Sequence, residues 1–254
     1  MSRSIKKNDA VSIERQFKRQ KVGWLLFLLI GTTLVGQTIS PGISAPKEEK
    51  KNMLANVKWL GHATIKLSGS KVIYIDPYQL KQTDTADLIL VTHDHFDHLS
   101  TPDINKLIGP QTIIVLPKGS KNPPKGNLRY IQPGETLKVD GIEIQAVPAY
   151  NVNKQFHPKA AGYVGYIVLL DGVKYYHAGD TDLIPEMKNI QADVAFLPVG
   201  GTYTMTAAEA AEAVNLIKPK VAVPMHWGTI VGSQKDAEQF KQLVKVCEVH
   251  ILTK

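Results

Sequence analysis

The chain has 254 residues, enough for one large domain or two small ones. Apolar residues make up 43% and charged residues 21%, which excludes a disordered chain, a collagen-like repeat and a polytopic membrane protein. The net charge of +7 is concentrated in residues 1–21, where Arg3, Lys6, Lys7, Arg15, Lys18, Arg19 and Lys21 face only Asp9 and Glu14. The rest is near neutral and gives no support to nucleic-acid binding.

The basic stretch runs into Val22–Val35, which carries no charge and is shorter than the roughly 20 residues of a membrane span. A basic start, a short apolar core and small residues near Ser44 and Ala45 predict a secretory signal or a signal anchor over residues 1–36. Pro46 and Ile43 make a poor cleavage site, so a cleaved signal and an anchor stay open. A membrane tether would run through residues 22–39. Either form implies an exported, extracytoplasmic protein. Residues 37–52 combine Pro, Gly, Ser and a charged run and read as a linker, so the folded domain is expected over residues 53–254.

Short β-rich runs follow at Val57–Leu60, Ala63–Leu67 and Val72–Ile75. Leu88–Thr92 and Ile113–Leu116 are continuous apolar strands. Asp140-Gly141 and Asp171-Gly172 predict two hairpins, joining Thr136–Val139 to Ile142–Val147 and Val164–Leu170 to Val173–His177. Val194–Leu197 and Val221–Pro224 are further strands. Helices are predicted from Thr101-Pro102-Asp103, from the capping box Thr206/Glu209 to about Ile217, and from Ser233 to about Val246. A block of strands leading to a strand–helix block, twice, suits an α/β (α+β) fold with two mixed sheets between helices.

The segment with most chemistry is His93-Asp94-His95-Phe96-Asp97-His98, directly after an apolar strand. Three histidines and two aspartates in six residues are hard to explain as packing, because each needs a partner and clustered imidazoles repel once protonated. A divalent metal resolves both problems, and imidazole with carboxylate is a donor set that zinc takes. Asp180 and His226 stand at the ends of two other strands. The single cysteine, Cys247, allows no intrachain disulfide and no cysteine-type zinc site; it reads as packing.

His93-x-His95-x-Asp97-His98 after a strand, then Gly179-Asp180-Thr181, then a C-terminal strand ending in His226, resembles the metallo-β-lactamase fold superfamily. The segments from Trp59 to Thr64, Ile75 to Pro77, Tyr176 to Thr181, Leu197 to Gly201 and Pro224 to His226 resemble its ascorbate-6-phosphate lactonase-like group of small metal-dependent hydrolases. The opening Trp59-Leu60-Gly61-His62-Ala63-Thr64 is also similar to N-acyl-phosphatidylethanolamine phospholipase D. The resemblance implies a four-layer αββα sandwich with two divalent metal ions in a cleft, zinc first and manganese or iron as other candidates. It implies that His93 and His95 bind the first metal, Asp97, His98 and His226 the second, and that Asp180 bridges them.

The family has another histidine after the strand ending near Pro148-Ala149-Tyr150, where this chain has Asn151. His157, six residues on, is expected to replace it; a weaker site completed by Asn151 and water is the alternative. The implied activity is hydrolysis of an ester, lactone or similar bond in a small-molecule substrate by a metal-bridging hydroxide, with Asp97 as the catalytic carboxylate. A phosphodiesterase or phospholipase D-like hydrolase is the alternative, and an inactive metal-binding protein a third. His62 reads equally as a pocket residue or a turn residue, Asp76 as support for the His93 loop, and His177 as a structural hydrogen bond.

Overall fold

The computed structural model describes residues 52–81 and 83–254. The expected signal or anchor over residues 1–36 and the tether through residues 22–39 lie outside the described residues. Among those described, no helix is long and apolar enough to cross a membrane.

Six strands make the first sheet, in sequence order: β1 (Val57–Gly61), β2 (Thr64–Ser68), β3 (Val72–Ile75), β4 (Leu88–Leu90), β5 (Ile113–Pro117) and β6 (Asn127–Ile131). The first three run antiparallel, and β3 through β6 run parallel. The second sheet has seven strands, also in sequence order. They are β7 (Thr136–Val139), β8 (Ile142–Pro148), β9 (Val164–Leu170), β10 (Val173–His177), β11 (Val194–Pro198), β12 (Val221–Met225) and β13 (Glu248–Val249). It repeats the plan: antiparallel from β7 to β10, then parallel to β13. Both predicted Asp-Gly turns form, with Asp140, Gly141, Asp171 and Gly172 all at positive φ as a two-residue hairpin loop demands.

Alternation along the parallel strands sets the layers. Ile73, Ile75, Leu88, Leu90, Ile113 and Val115 join Ile144, Ala146, Val164, Tyr166 and Val168 in the core between the sheets. Tyr74, Ile89, Ile114 and Leu116 face the other way and are covered by Ile104 and Leu107 of α1 (Thr101–Leu107). On the far side, α2 (Ala207–Ile217) packs on β11 and α3 (Gln234–Leu243) on β12. The result is the four-layer αββα sandwich. Each fully buried aliphatic side chain contributes about 1.5–3 kcal/mol of gross burial energy, so strands apolar on both faces are the stable solution here.

Two boundaries differ from expectation by more than one residue. Strand β4 stops at Leu90, because Thr92 turns its N–H and its Oγ1 to the Asp76 carboxylate. Helix α3 ends at Leu243 rather than near Val246, because Val244 adopts extended backbone.

Candidate metal centre

One carboxylate organises the loop after β4. Asp76 follows the neighbouring strand β3, has φ 48° and is fully buried. Its Oδ1 accepts the Thr92 N–H at 2.8 Å, and its Oδ2 accepts the Thr92 hydroxyl at 2.7 Å. The same Oδ2 lies 2.7 Å from His98 Nδ1, so the His98 ring is turned with Nε2 inward. The turn between closes with the N–H groups of His98 and Leu99 donating to His95 O. Thus a strand end, one aspartate and a tight turn fix the directions of the expected donors. Asp94, between His93 and His95, accepts the Tyr163 hydroxyl at 2.7 Å and the Lys121 N–H at 2.8 Å, pinning the loop from outside.

The second sheet contributes the remaining groups. Asp180 follows β10 across Gly179, whose φ is +64°; a Cβ there would lie 2.8 Å from Val164 O, so glycine is required. His226 follows β12 at φ 58°, and its N–H donates to His62 O at 2.8 Å. His157 comes from the loop between β8 and β9. Asn151 Oδ1 accepts both the His157 N–H and its Nδ1, each at 3.0 Å, while Asn151 Nδ2 donates to Tyr203 O at 2.9 Å. The Asn151 oxygen is therefore occupied by His157, and the His157 Nε2 is left facing the cluster.

All the side chains expected from the sequence meet at this one edge of the sandwich. His93, His95 and His157 form one group of potential ligand atoms within 4.8 Å of one another; His93, His98 and Asp180 form another. Asp97, His98 and His226 form a third, together with His62, which the sequence left undecided. His93 Nε2 lies 3.1 Å from His95 Nδ1. Asp180 Oδ2 lies 3.0 Å from His226 Nε2 and 3.4 Å from His157 Nε2, and Asp180 Oδ1 is 3.4 Å from His98 Nε2. His62 Nε2 sits 2.9 Å from Asp97 Oδ2. His177 stands apart, with Nε2 on Ala63 O at 2.7 Å, a structural hydrogen bond. A lone histidine after a glycine gave no signal for His62 beyond its place in a resembling motif.

The cluster is short of partners. His98 Nε2, His157 Nε2, Asp180 Oδ1 and both ring nitrogens of His226 are buried without an aligned hydrogen bond. Leaving such atoms unpaired costs about 1–3 kcal/mol each. Nitrogen and oxygen donors that converge, buried and unpaired, fit divalent cations, and the lack of sulfur suits zinc, manganese or iron alike.

Protonation follows the same logic. Burial holds His93 well below the usual imidazole range and brings His157 and His62 down to about 4. Burial alone would raise Asp180 and Asp97, but neighbouring imidazoles outweigh it. Asp180 stays well below the ordinary carboxylate value, through His226 and His98, and Asp97 falls to about 2, through His62 and His98. His98 is the exception. Burial lowers it, yet Asp180 and Asp76 together raise it well above the ordinary value.

Comparison with known proteins agrees with this geometry. Residues 56–226 match the family model described as "Beta-lactamase superfamily domain". A "UPF0173 metal-dependent hydrolase" of Thermococcus onnurineus is 37% identical over 208 residues, covering 75% of this chain and 92% of that protein. One from Archaeoglobus fulgidus is 36% identical, with 74% and 90% covered. The crystal structure of a putative metal-dependent hydrolase from Parabacteroides distasonis superposes with a TM-score of 0.68 at 34% identity, covering 78% of this chain and 93% of that one. Igni18, a metallo hydrolase of Ignicoccus hospitalis, gives 0.62 at 27% identity over 77% and 94%.

These relatives correct one expectation. The match takes in 92% of the T. onnurineus protein, which leaves hardly any chain there for a leader like that read in residues 1–36. The expected exported, extracytoplasmic location is overturned on that ground. The match in sequence, the shared sandwich and the buried histidine–aspartate cluster lead to one assignment: the chain belongs to the beta-lactamase superfamily, as one of its metal-dependent hydrolases.

Proposed function

We propose that the chain, through a domain spanning residues 53–254, hydrolyses an ester, lactone or similar bond in a small substrate at this cluster. His93, His95 and His157 would hold one divalent ion. Asp97, His98 and His226 would hold a second, with Asp180 shared between them. The observation that supports this is the convergence of buried, unpaired donor atoms from both sheets. Bound there, divalent ions would bring the pKa of a coordinated water toward neutrality and polarise a carbonyl or phosphoryl oxygen.

The chain's own groups divide the remaining work. Asp97, with Oδ2 anchored by His62 at 2.9 Å and held ionised, is the carboxylate that would orient the attacking water. Asp76 and Asn151 hold the Nδ1 sides of His98 and His157 and so fix which nitrogen faces inward. All the cluster side chains except His95 are buried, which limits their contact with bulk water. The phosphodiesterase alternative rests on the segment from Trp59 to Thr64 alone.

The test is metal per chain by elemental analysis, for the parent and for His157→Ala, followed by turnover of an ester, a lactone, bis-p-nitrophenyl phosphate and nitrocefin. About two ions per chain, falling in the variant, with ester or lactone turnover supports the proposal. Full metal content in His157→Ala removes His157 from the site. Turnover of the phosphodiester alone favours the alternative.

A further inference from the structure

Three loops that carry the cluster also carry exposed apolar side chains. Phe96, between His95 and Asp97, is 69% exposed. Val152 and Phe156, between Asn151 and His157, are 56% and 48% exposed, and Ile230 follows His226 at 38%. Exposed phenylalanines cost free energy unless something covers them, and here they gather at the one edge where chemistry is expected.

The aromatic side chains are not loose. Phe156 meets Tyr203 edge-on, with ring centroids 4.6 Å apart, and the Tyr203 carbonyl is held by Asn151 Nδ2. Phe96 packs edge-on against Tyr78 at 6.0 Å, and Tyr78 lies 5.8 Å from the His62 ring. Each of the two aromatic pairs thus has its phenylalanine directly beside cluster residues in the chain, Phe96 between His95 and Asp97 and Phe156 before His157.

Charge points the same way. Among the described residues, no lysine or arginine side chain is ion-paired or hydrogen-bonded to a cluster residue. Lys154, on the same loop as Phe156, is held by Asp182 at 2.5 Å, and Lys159 by Glu186 at 2.8 Å. A substrate carrying a phosphate or carboxylate away from the scissile bond would find no free cation at these loops.

The geometry points to an apolar subsite, formed by Phe96 with Tyr78 and Phe156 with Tyr203, for the acyl or aryl part of a neutral substrate. The inference rests on the hydrolase reading above and narrows it. An aromatic-lined mouth beside a few convergent polar groups is the ordinary construction of a small-molecule site.

The experiment uses the full metal-loaded chain and a series of p-nitrophenyl esters from acetate to octanoate. Full burial of one methylene is worth about fourfold in binding, so a half-open subsite gives about twofold in kcat/KM per added methylene. Phe156→Ser and Phe96→Ser each reduce the octanoate-to-acetate ratio of kcat/KM about fivefold or more. Leu216→Ser, an exposed apolar residue on α2, leaves the ratio unchanged.

A ratio near one in the parent, or a ratio unmoved by both phenylalanine variants, overturns the subsite. Binding is read apart from turnover, as the affinity of metal-stripped chain for octanamide against acetamide by NMR titration. Preference for octanamide, lost in Phe156→Ser, supports the subsite even if no ester is cleaved, which would count against the hydrolase reading alone. Equal affinity for the two amides overturns the subsite.

Discussion

Asn151 Oδ1 accepts two hydrogen bonds from His157, one from its backbone N–H and one from its ring Nδ1, both at 3.0 Å. The residue at which the resemblance implied a histidine supports another histidine, six positions on. Removing the acceptor frees the ring and its tautomer. Asn151→Ala is expected to weaken binding of the first ion about 10- to 100-fold, whereas Asn151→Asp, which keeps an acceptor, stays within a few-fold. Isothermal titration with zinc into stripped protein reads both. Equal affinities in the parent and Asn151→Ala would rule the support out.

His62 holds Asp97 by a 2.9 Å contact. His62→Ala is expected to lower turnover about 10- to 100-fold while metal per chain stays at the parent's level. His62→Gln, which retains a donor, recovers part of the loss. Loss of one ion per chain in His62→Ala would instead make His62 a ligand.

The unpaired buried atoms of the cluster predict a strong response to chelation. At free metal a hundredfold above the dissociation constant, one site adds about 2.7 kcal/mol. For a domain of this size that is about 5–10 °C in Tm. Scanning calorimetry of stripped and reloaded protein checks it; superimposable transitions would mean that no ion binds the folded state.

Gly200 allows His226 its position. A Cβ at Gly200 would lie 2.6 Å from the His226 carbonyl and 2.6 Å from Val231 Cγ2. Backbone cannot yield cheaply, so Gly200→Ala costs about 1–3 kcal/mol and displaces His226. Urea melts of stripped protein isolate the packing cost, and metal titration reads the displacement.

Asp103 gives a pH dependence that does not involve a cluster side chain. Its carboxylate accepts the N–H groups of Gln79 and Leu80 at 2.8 and 3.0 Å, the Ser100 hydroxyl at 2.7 Å and Lys106 Nζ at 2.8 Å. Burial would raise its pKa, but these donors outweigh burial and hold it below the ordinary value. A lowered folded-state pKa contributes stability above the unfolded value, about 3.9, which is lost as pH falls through the folded value. Asp103→Asn is expected to cost about 1–3 kcal/mol near neutral pH, with the gap to the parent narrowing below about pH 4. Thermal melts of both proteins from pH 7 to 3 measure that gap; a constant gap would show that ionisation of Asp103 is not involved.

Sequence showed what is locally encoded and hid what depends on assembly. Apolar runs such as Val164–Leu170 and the Asp-Gly turns were legible because period and turn chemistry are local. Strand β6 was not, because Asn127–Ile131 lies at a sheet edge with Asn127, Arg129 and Tyr130 exposed and carries no apolar pattern. Strand β13 has only two residues, too few for any periodicity. The six-residue histidine–aspartate run announced itself by density. His62 could not, since a single histidine in a turn gains meaning only when β12 brings His226 to within 4.0 Å of its ring. The role of Asn151 likewise needed the fold of the loop that returns His157 to it.

The repeated strand plan has a mechanical consequence. His62, His93, His95, Asp97 and His98 hang from the first sheet, while His157, Asp180 and His226 hang from the second. Any ion gripped by both sets is a rivet between two half-molecules that otherwise adhere through their apolar faces and a set of hydrogen bonds, among them Tyr163 to Asp94 and His226 to His62. Cutting the chain between β6 and β7 would leave each fragment with an incomplete clasp, and reassociation of the fragments would then tighten in the presence of the ion that both halves share.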